Sequence, residues 1–274
     1  MDRDRLVLSH FSVRSADFAD RVRAAAAAGY FGIGLYLSEY QRLRAQGHSD
    51  PELRDVLAAN GQQIWEFEAV RGWASSGAAY ESYLQELAVI ERMVEAFGPA
   101  HHVQVIGPYE GGLEDAAAGF AAVCDRLAEH GMGAAIEFLP EMSNIPDAAS
   151  AWEIVRTAGR DNGGLCVDSW HHFRGANDLR MLARIPADRV LDVQINDGPR
   201  TRVDPDYYTD CTRHRQIPGT GDFDLISFVQ TLDRSGVDVP YSVEVISTDL
   251  DRLPPEEAAR RMAEGTRDVL AAAR

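Results

Sequence analysis

Short apolar runs alternate along this chain with longer stretches in which Leu, Val, Ile and Ala return at helical spacing. The short runs predict strands over 5–10, 31–37, 62–69, 101–106, 133–138, 163–168, 189–195 and 240–246. Between them the 3.6-residue period predicts helices near 16–28, 50–60, 78–97, 113–130, 147–159, 176–184 and 222–234, with a last one over 254–273. Ser15-Ala16-Asp17 and Pro146-Asp147 are helix-start signals, because their side chains can accept from free backbone amides. Gly29, Gly61 and Gly131 stand where helices should stop in a left-handed residue. Eight strand–helix units in 274 residues match a single (β/α)8 TIM barrel, an α/β fold, as one domain over 1–274. A doubly wound sheet would place a glycine-rich fingerprint after its first strand, where Ser9-His10-Phe11-Ser12 stands instead. The long loop 196–221, between the seventh strand and the helix after it, joins strands seven and eight, and a connection of that length usually carries function.

Composition narrows the chemistry. Asp and Glu number 43 against 27 Lys and Arg, a formal net charge of −16, which repels phosphate backbones and anionic lipid. A small-molecule substrate is therefore expected, and neither nucleic acid nor a membrane. The chain contains no lysine, so its basic residues are all arginine. That excludes lysine Schiff-base and lysine-anchored pyridoxal enzymes, P-loop NTPases and ordinary protein kinases. The electrophile has to come from elsewhere, most simply from a metal ion. Cys124, Cys166 and Cys211 lack CxxC spacing, so neither a disulfide framework nor a cysteine zinc site is expected. No secretory apolar region follows Met1-Asp2-Arg3-Asp4-Arg5, and the longest uncharged run, 24–38, is too short for a bilayer, so a cytoplasmic location is expected.

In a (β/α)8 barrel the chemistry sits where strands end, so polar residues closing apolar strands are the candidates. Strand five carries Glu137, strand six ends at Asp168, strand seven contains Gln194, and strand eight contains Glu244. Three carboxylates brought together repel unless a cation lies between them. Oxygen donors suit one divalent metal, Mn²⁺ first, with Mg²⁺, Co²⁺ or Zn²⁺ as alternatives.

The segments Ile136-Glu137-Phe138-Leu139-Pro140, Val167-Asp168-Ser169-Trp170-His171, Val193-Gln194-Ile195-Asn196-Asp197, Pro218-Gly219-Thr220-Gly221-Asp222-Phe223 and Val243-Glu244-Val245 resemble the xylose-isomerase-like barrels, often called sugar phosphate isomerases/epimerases. The resemblance implies that Glu137, Asp168, Gln194 and Glu244 ligate one divalent ion. The third ligand of such barrels is most often histidine; glutamine there is similar to hydroxypyruvate-isomerase-like enzymes and 3-dehydroshikimate dehydratases. The implied chemistry is proton abstraction beside a carbonyl, with the charge of an enediolate offset by the metal. Glu137 and Glu244 would then be ligands and acid/base groups together, or His171 would be the base with Glu244 as its partner. The expected activity is isomerisation or epimerisation of a small polyhydroxylated carbonyl compound of the sugar, keto-sugar or inosose type. The alternative is a metal-dependent dehydratase of the 3-dehydroshikimate type, favoured by Arg71, Arg213 and His171. A second alternative is a catalytically silent sugar-binding barrel. Such barrels commonly pair, so a homodimer or homotetramer is also implied.

Other residues are candidates by position. Arg213, in the Arg213-His214-Arg215 cluster of the long loop, suits an anionic substrate group. His10, Glu68, Arg71 and Trp170 stand near strand ends, where substrate contacts form. His101 and His102 begin strand four, at the opposite end, and are expected in solvent or core; Cys166 is expected as a small core hydrophobe.

Overall fold

A computed structural model describes residues 4–274. Its strands are β1 (Leu6–Leu8), β2 (Gly32–Tyr36), β3 (Ile64–Val70), β4 (His102–Val105), β5 (Gly133–Glu137), β6 (Gly163–Asp168), β7 (Val190–Ile195) and β8 (Tyr241–Val243). They form a closed barrel in chain order, all parallel, and β1 pairs with both β2 and β8. The helices are α1 (Phe18–Ala27), α2 (Leu37–Ala45), α3 (Asp50–Ala59), α4 (Gly77–Phe97), α5 (Leu113–Ala128), α6 (Ala148–Ala158), α7 (Ser169–Arg174), α8 (Leu179–Leu182), α9 (Tyr207–Arg213), α10 (Leu225–Ser235) and α11 (Pro255–Ala273). This is the eight-stranded TIM barrel that the alternation predicts. Among the described residues, no helix is long and apolar enough to cross a membrane.

The strands put alternate side chains on opposite faces. Phe67, Val103, Ile136, Val167, Val193 and Val243 face outward and pack with helix residues such as Ile90, Met93, Phe120, Ile154, Phe228 and Met262. Each such burial stabilises the fold by about 1.5–3 kcal/mol. The intervening positions are buried and polar: Glu66 and Glu68 on β3, His102 and Gln104 on β4, Cys166 and Asp168 on β6, Asp192 and Gln194 on β7. Ser242 on β8 and Glu244 just beyond it continue the pattern.

Helix starts follow local capping chemistry. Asp17 accepts from the Asp20 amide at 2.8 Å, Ser49 and Glu52 form a reciprocal capping box on α3, and Asp147 and Ser150 form one on α6. Gly29 and Gly131 take φ of +72° and +73° at the predicted stops.

Several boundaries differ from those the sequence predicts. β8 ends at Val243 rather than reaching 246, because Ser12 takes over the ladder. Its hydroxyl donates to the Val243 carbonyl at 2.7 Å and accepts from the Val245 amide at 2.8 Å. β1 likewise stops at Leu8, and the chain turns into a short 3₁₀ segment, His10–Val13. The helix expected over 176–184 is only α8, while α7 begins directly at the end of β6. The long 196–221 connection contains α9, capped by Asp206.

Candidate metal and acid–base site

Glu137 is the last residue of β5 and Asp168 the last of β6, so both reach the C-terminal mouth of the barrel. The start of α7 then places His171 one turn beyond Asp168. Its Nε2 lies 3.2 Å from Glu137 Oε1 and 3.3 Å from Asp168 Oδ2. One donor atom from each of these three buried residues falls within 4.8 Å of the others, a spacing that could hold a metal ion. The Tyr207 hydroxyl, from α9, hydrogen-bonds His171 Nδ1 and so fixes the ring while leaving Nε2 aimed at the carboxylates.

Gln194 lies across the same space. Oriented by its hydrogen bonds, its amide nitrogen donates to Glu244 Oε2 and Glu137 Oε1, each at 3.1 Å. Its oxygen accepts from Gln104 Nε2 at 3.1 Å, and the Gln104 amide also donates to Glu137 Oε2 at 3.1 Å. Asp168 is held by its other oxygen, which accepts from the Trp170 amide at 2.8 Å and Asn196 Nδ2 at 2.7 Å. The donor set of Glu137, Asp168, His171, Gln194 and Glu244 is the mixed oxygen and imidazole chemistry that borderline divalent ions take.

The cation within this cluster is Arg215. Its Nη1 donates to Glu244 Oε2 at 2.7 Å and to Asp168 Oδ2 at 2.9 Å, while Nε donates to the Cys211 carbonyl at 3.0 Å. Asp168 and Glu244 raise the basicity of the guanidinium further, so it stays charged despite complete burial. Glu244 is pushed well above the usual carboxylate range by burial, against the pull of Arg215, with Asp168, Glu68 and Glu137 adding to the push. Ser9 donates to Glu244 Oε1 at 3.2 Å and to Glu68 Oε1 at 3.4 Å, linking β1 to both.

The other candidates fall in different places. Arg213 is exposed, with its carbonyl accepting from the Thr248 amide; Arg215, two residues on, is the member of the loop cluster that turns inward. Trp170 is fully buried, packed on Phe223 and beneath Arg215 and Arg174, so it supports the site from behind. Arg71 is exposed and donates to the Tyr36 hydroxyl at 2.8 Å. His10 is buried against Tyr36 and Phe11, and burial holds its imidazole well below its ordinary pKa. Glu68 accepts from the His10 amide at 3.3 Å, and burial raises its carboxyl to about 7. The Gly219–Gly221 turn serves the loop: Asp197 accepts from the amides of Gly198, Gly219, Gly221 and Phe223.

Tyr207, Arg215, Ser9 and Gln104 are participants that strand-end reasoning missed. For Gln104 a signal was present, since it stands two residues after His102 on the inward face of β4. For Tyr207 there was none, because it arrives from a loop helix.

Residues 22–269 match the family described as xylose isomerase-like TIM barrel. The 3-dehydroshikimate dehydratase of Pseudomonas aeruginosa is 27% identical over 263 residues, which are 93% of this chain and 40% of that protein. The inosose isomerase of Bacillus subtilis is 28% identical over 142 residues, 52% of this chain and 50% of that enzyme. The chain thus spans about two-fifths of the length of the first and half of the second. Among solved structures, the IolI protein with a bound zinc atom superimposes with a TM-score of 0.88 at 18% identity, covering 97% of this chain and 98% of that one.

Proposed function

Because this chain belongs to the xylose isomerase-like TIM-barrel family, we propose that its barrel mouth is the active site of a metal-dependent lyase that dehydrates a small hydroxy-keto acid of the 3-dehydroshikimate type. The observation that carries the reading is the buried Arg215 joined to Asp168 and Glu244, with His171 on the other side of Asp168. The likeness to a dehydratase over 93% of the chain supports the same choice ahead of isomerisation.

Glu137, Asp168, Gln194 and Glu244 would hold the divalent ion, with Mn²⁺ our first choice, and Gln194 would present its oxygen by turning its amide. When bound, such an ion polarises a substrate carbonyl and offsets negative charge growing on its oxygen. His171, fixed through Nδ1 by Tyr207, takes the proton from the carbon beside the carbonyl at Nε2. The proton taken up by His171 is returned to the departing β-hydroxyl, which leaves as water, while Glu244 stays ionised beside the ion. Arg215 holds Glu244 and Asp168 in place, and Arg71 at the rim offers a fork to a substrate carboxylate.

The second reading, an isomerase or epimerase of an inosose or keto-sugar, shares the first proton transfer and differs in returning the proton to carbon. Glu137 and Glu244, both present at the mouth, favour it, as does the half-chain likeness to inosose isomerase. The test is proton NMR in D₂O of the Mn²⁺-loaded protein with 3-dehydroshikimate and with an inosose. New aromatic signals are the expected result. Deuterium entering the inosose without a new alkene would move the assignment to isomerase, and no change with either compound would overturn both. His171→Asn should lower the rate by about 10²–10⁴-fold, the usual contribution of a positioned general base.

A further inference from the structure

Below the mouth, one strand step toward the N-terminal end, lies a second set of inward polar residues that the proposed reaction does not use. Glu66, His102 and Asp192 come from β3, β4 and β7 and are all buried. His102 Nε2 stands 3.9 Å from Glu66 Oε2 and 3.6 Å from Asp192 Oδ2, and one donor from each falls within 4.8 Å of the others. Among the described residues, neither Glu66 Oε2 nor His102 Nε2 has a hydrogen-bond partner. Separations of 3.6 and 3.9 Å are too long for hydrogen bonds. They are close to the roughly 3.3 Å between donors that each bind a tetrahedral zinc ion at ~2.0–2.1 Å.

The surrounding contacts hold these atoms in place. Ser242 donates to Glu66 Oε1 at 2.7 Å, which leaves Oε2 turned toward His102. The His102 Nδ1 faces His101 Nδ1 at 3.3 Å, and His101 is itself stacked on Trp65 at 4.7 Å, so the imidazole is braced from outside the barrel. With the proton on Nδ1, Nε2 presents a lone pair to two carboxylates, an arrangement that repels unless a cation lies between. Two ionised carboxylates carry the charge that a divalent ion cancels. The Cys166 thiol donates to Asp192 Oδ2 at 3.2 Å and so helps to fix that carboxylate.

We propose that Glu66, His102 and Asp192 form a second, enclosed cation site inside the barrel, of the zinc class, separate from the site at the mouth. Its mixed imidazole and carboxylate donors favour Zn²⁺ or Co²⁺ over Mg²⁺. Its three donors are all buried, which suits a structural ion.

The test is a zinc-edge anomalous difference map from crystals of the full chain expressed in zinc-supplemented medium. The expected result is a peak bounded by Glu66, His102 and Asp192. A map without that peak overturns the proposal, whatever the mouth contains. A peak at the mouth alone therefore sinks this inference and spares the proposed function; a peak in the lower cluster supports this inference, and the D₂O experiment decides the proposed function by itself. Zinc counted per chain should fall by one in His102→Asn that retains wild-type circular dichroism, and an unchanged count in that variant would also overturn the site.

Discussion

Arg213 and Arg215 stand two residues apart and differ in nearly every physical respect. Arg213 is exposed, whereas Arg215 is sealed between Asp168, Glu244 and the Cys211 carbonyl. Removing one partner of a buried ion pair strands the others, at a cost of about 3–5 kcal/mol. Arg215→Ala should lose that much in urea unfolding, while Arg213→Ala should stay within about 0.5 kcal/mol of wild type. Gly34 makes a second residue-level case. A Cβ there would lie 2.4 Å from Glu68 Oε1 and 2.8 Å from Glu66 Oε1, so Gly34→Ala must displace both carboxylates. We expect it to destabilise the fold by about 1–3 kcal/mol, the usual cost of overpacking, read from the urea midpoint. Glu137, Asp168, Gln194 and Glu244 were legible as candidates because each interrupts an apolar strand. Which arginine of Arg213-His214-Arg215 turns inward was not, since a loop has no period to read.

Short loop helices escaped the sequence for a related reason. The six residues of α7 and seven of α9 offer too few turns for an apolar stripe to show; the cap of α7, Asp168, reads as a strand end, and that of α9, Asp206, as an ordinary loop residue. Both nonetheless carry the site, α7 through His171 and α9 through Tyr207. α7 also holds His172, whose imidazole burial depresses to about 4. An unfolded histidine titrates near 6.5, so between those values the unfolded chain binds more protons. The stabilisation from keeping His172 neutral is thus complete above about pH 6.5 and lost as pH falls through 4, about 3 kcal/mol in all. Urea midpoints for His172→Phe should be flatter across that interval than those of wild type.

At the scale of the molecule, the barrel interior carries two tiers of polar side chains where such barrels usually stack branched apolar ones. In the upper tier Glu137, Asp168, His171 and Glu244 are all buried, and Leu139, Met142, Trp170, Tyr207 and Cys211 form a separate small apolar cluster. A substrate has to reach these buried groups, so backbone amides of 200–213 should exchange faster than those of β5 and β6 and should slow when a substrate analogue binds. Hydrogen exchange followed by mass spectrometry reads both effects. The alternation of strands and helices made the barrel legible from sequence, but the lower tier needed the register of strands far apart in the chain. Ser242 and Glu66 are 176 positions apart, and Ser9 and Glu244 are 235 apart. Contacts with so much chain between them carry the largest loop-closure cost, and we expect them to form late in folding. Interactions absent from a folding transition state act on the unfolding rate. A bound cation should therefore prolong the life of the folded chain while scarcely hastening its formation, and a chelator should steepen the loss of folded protein over time without altering how fast fresh chains fold.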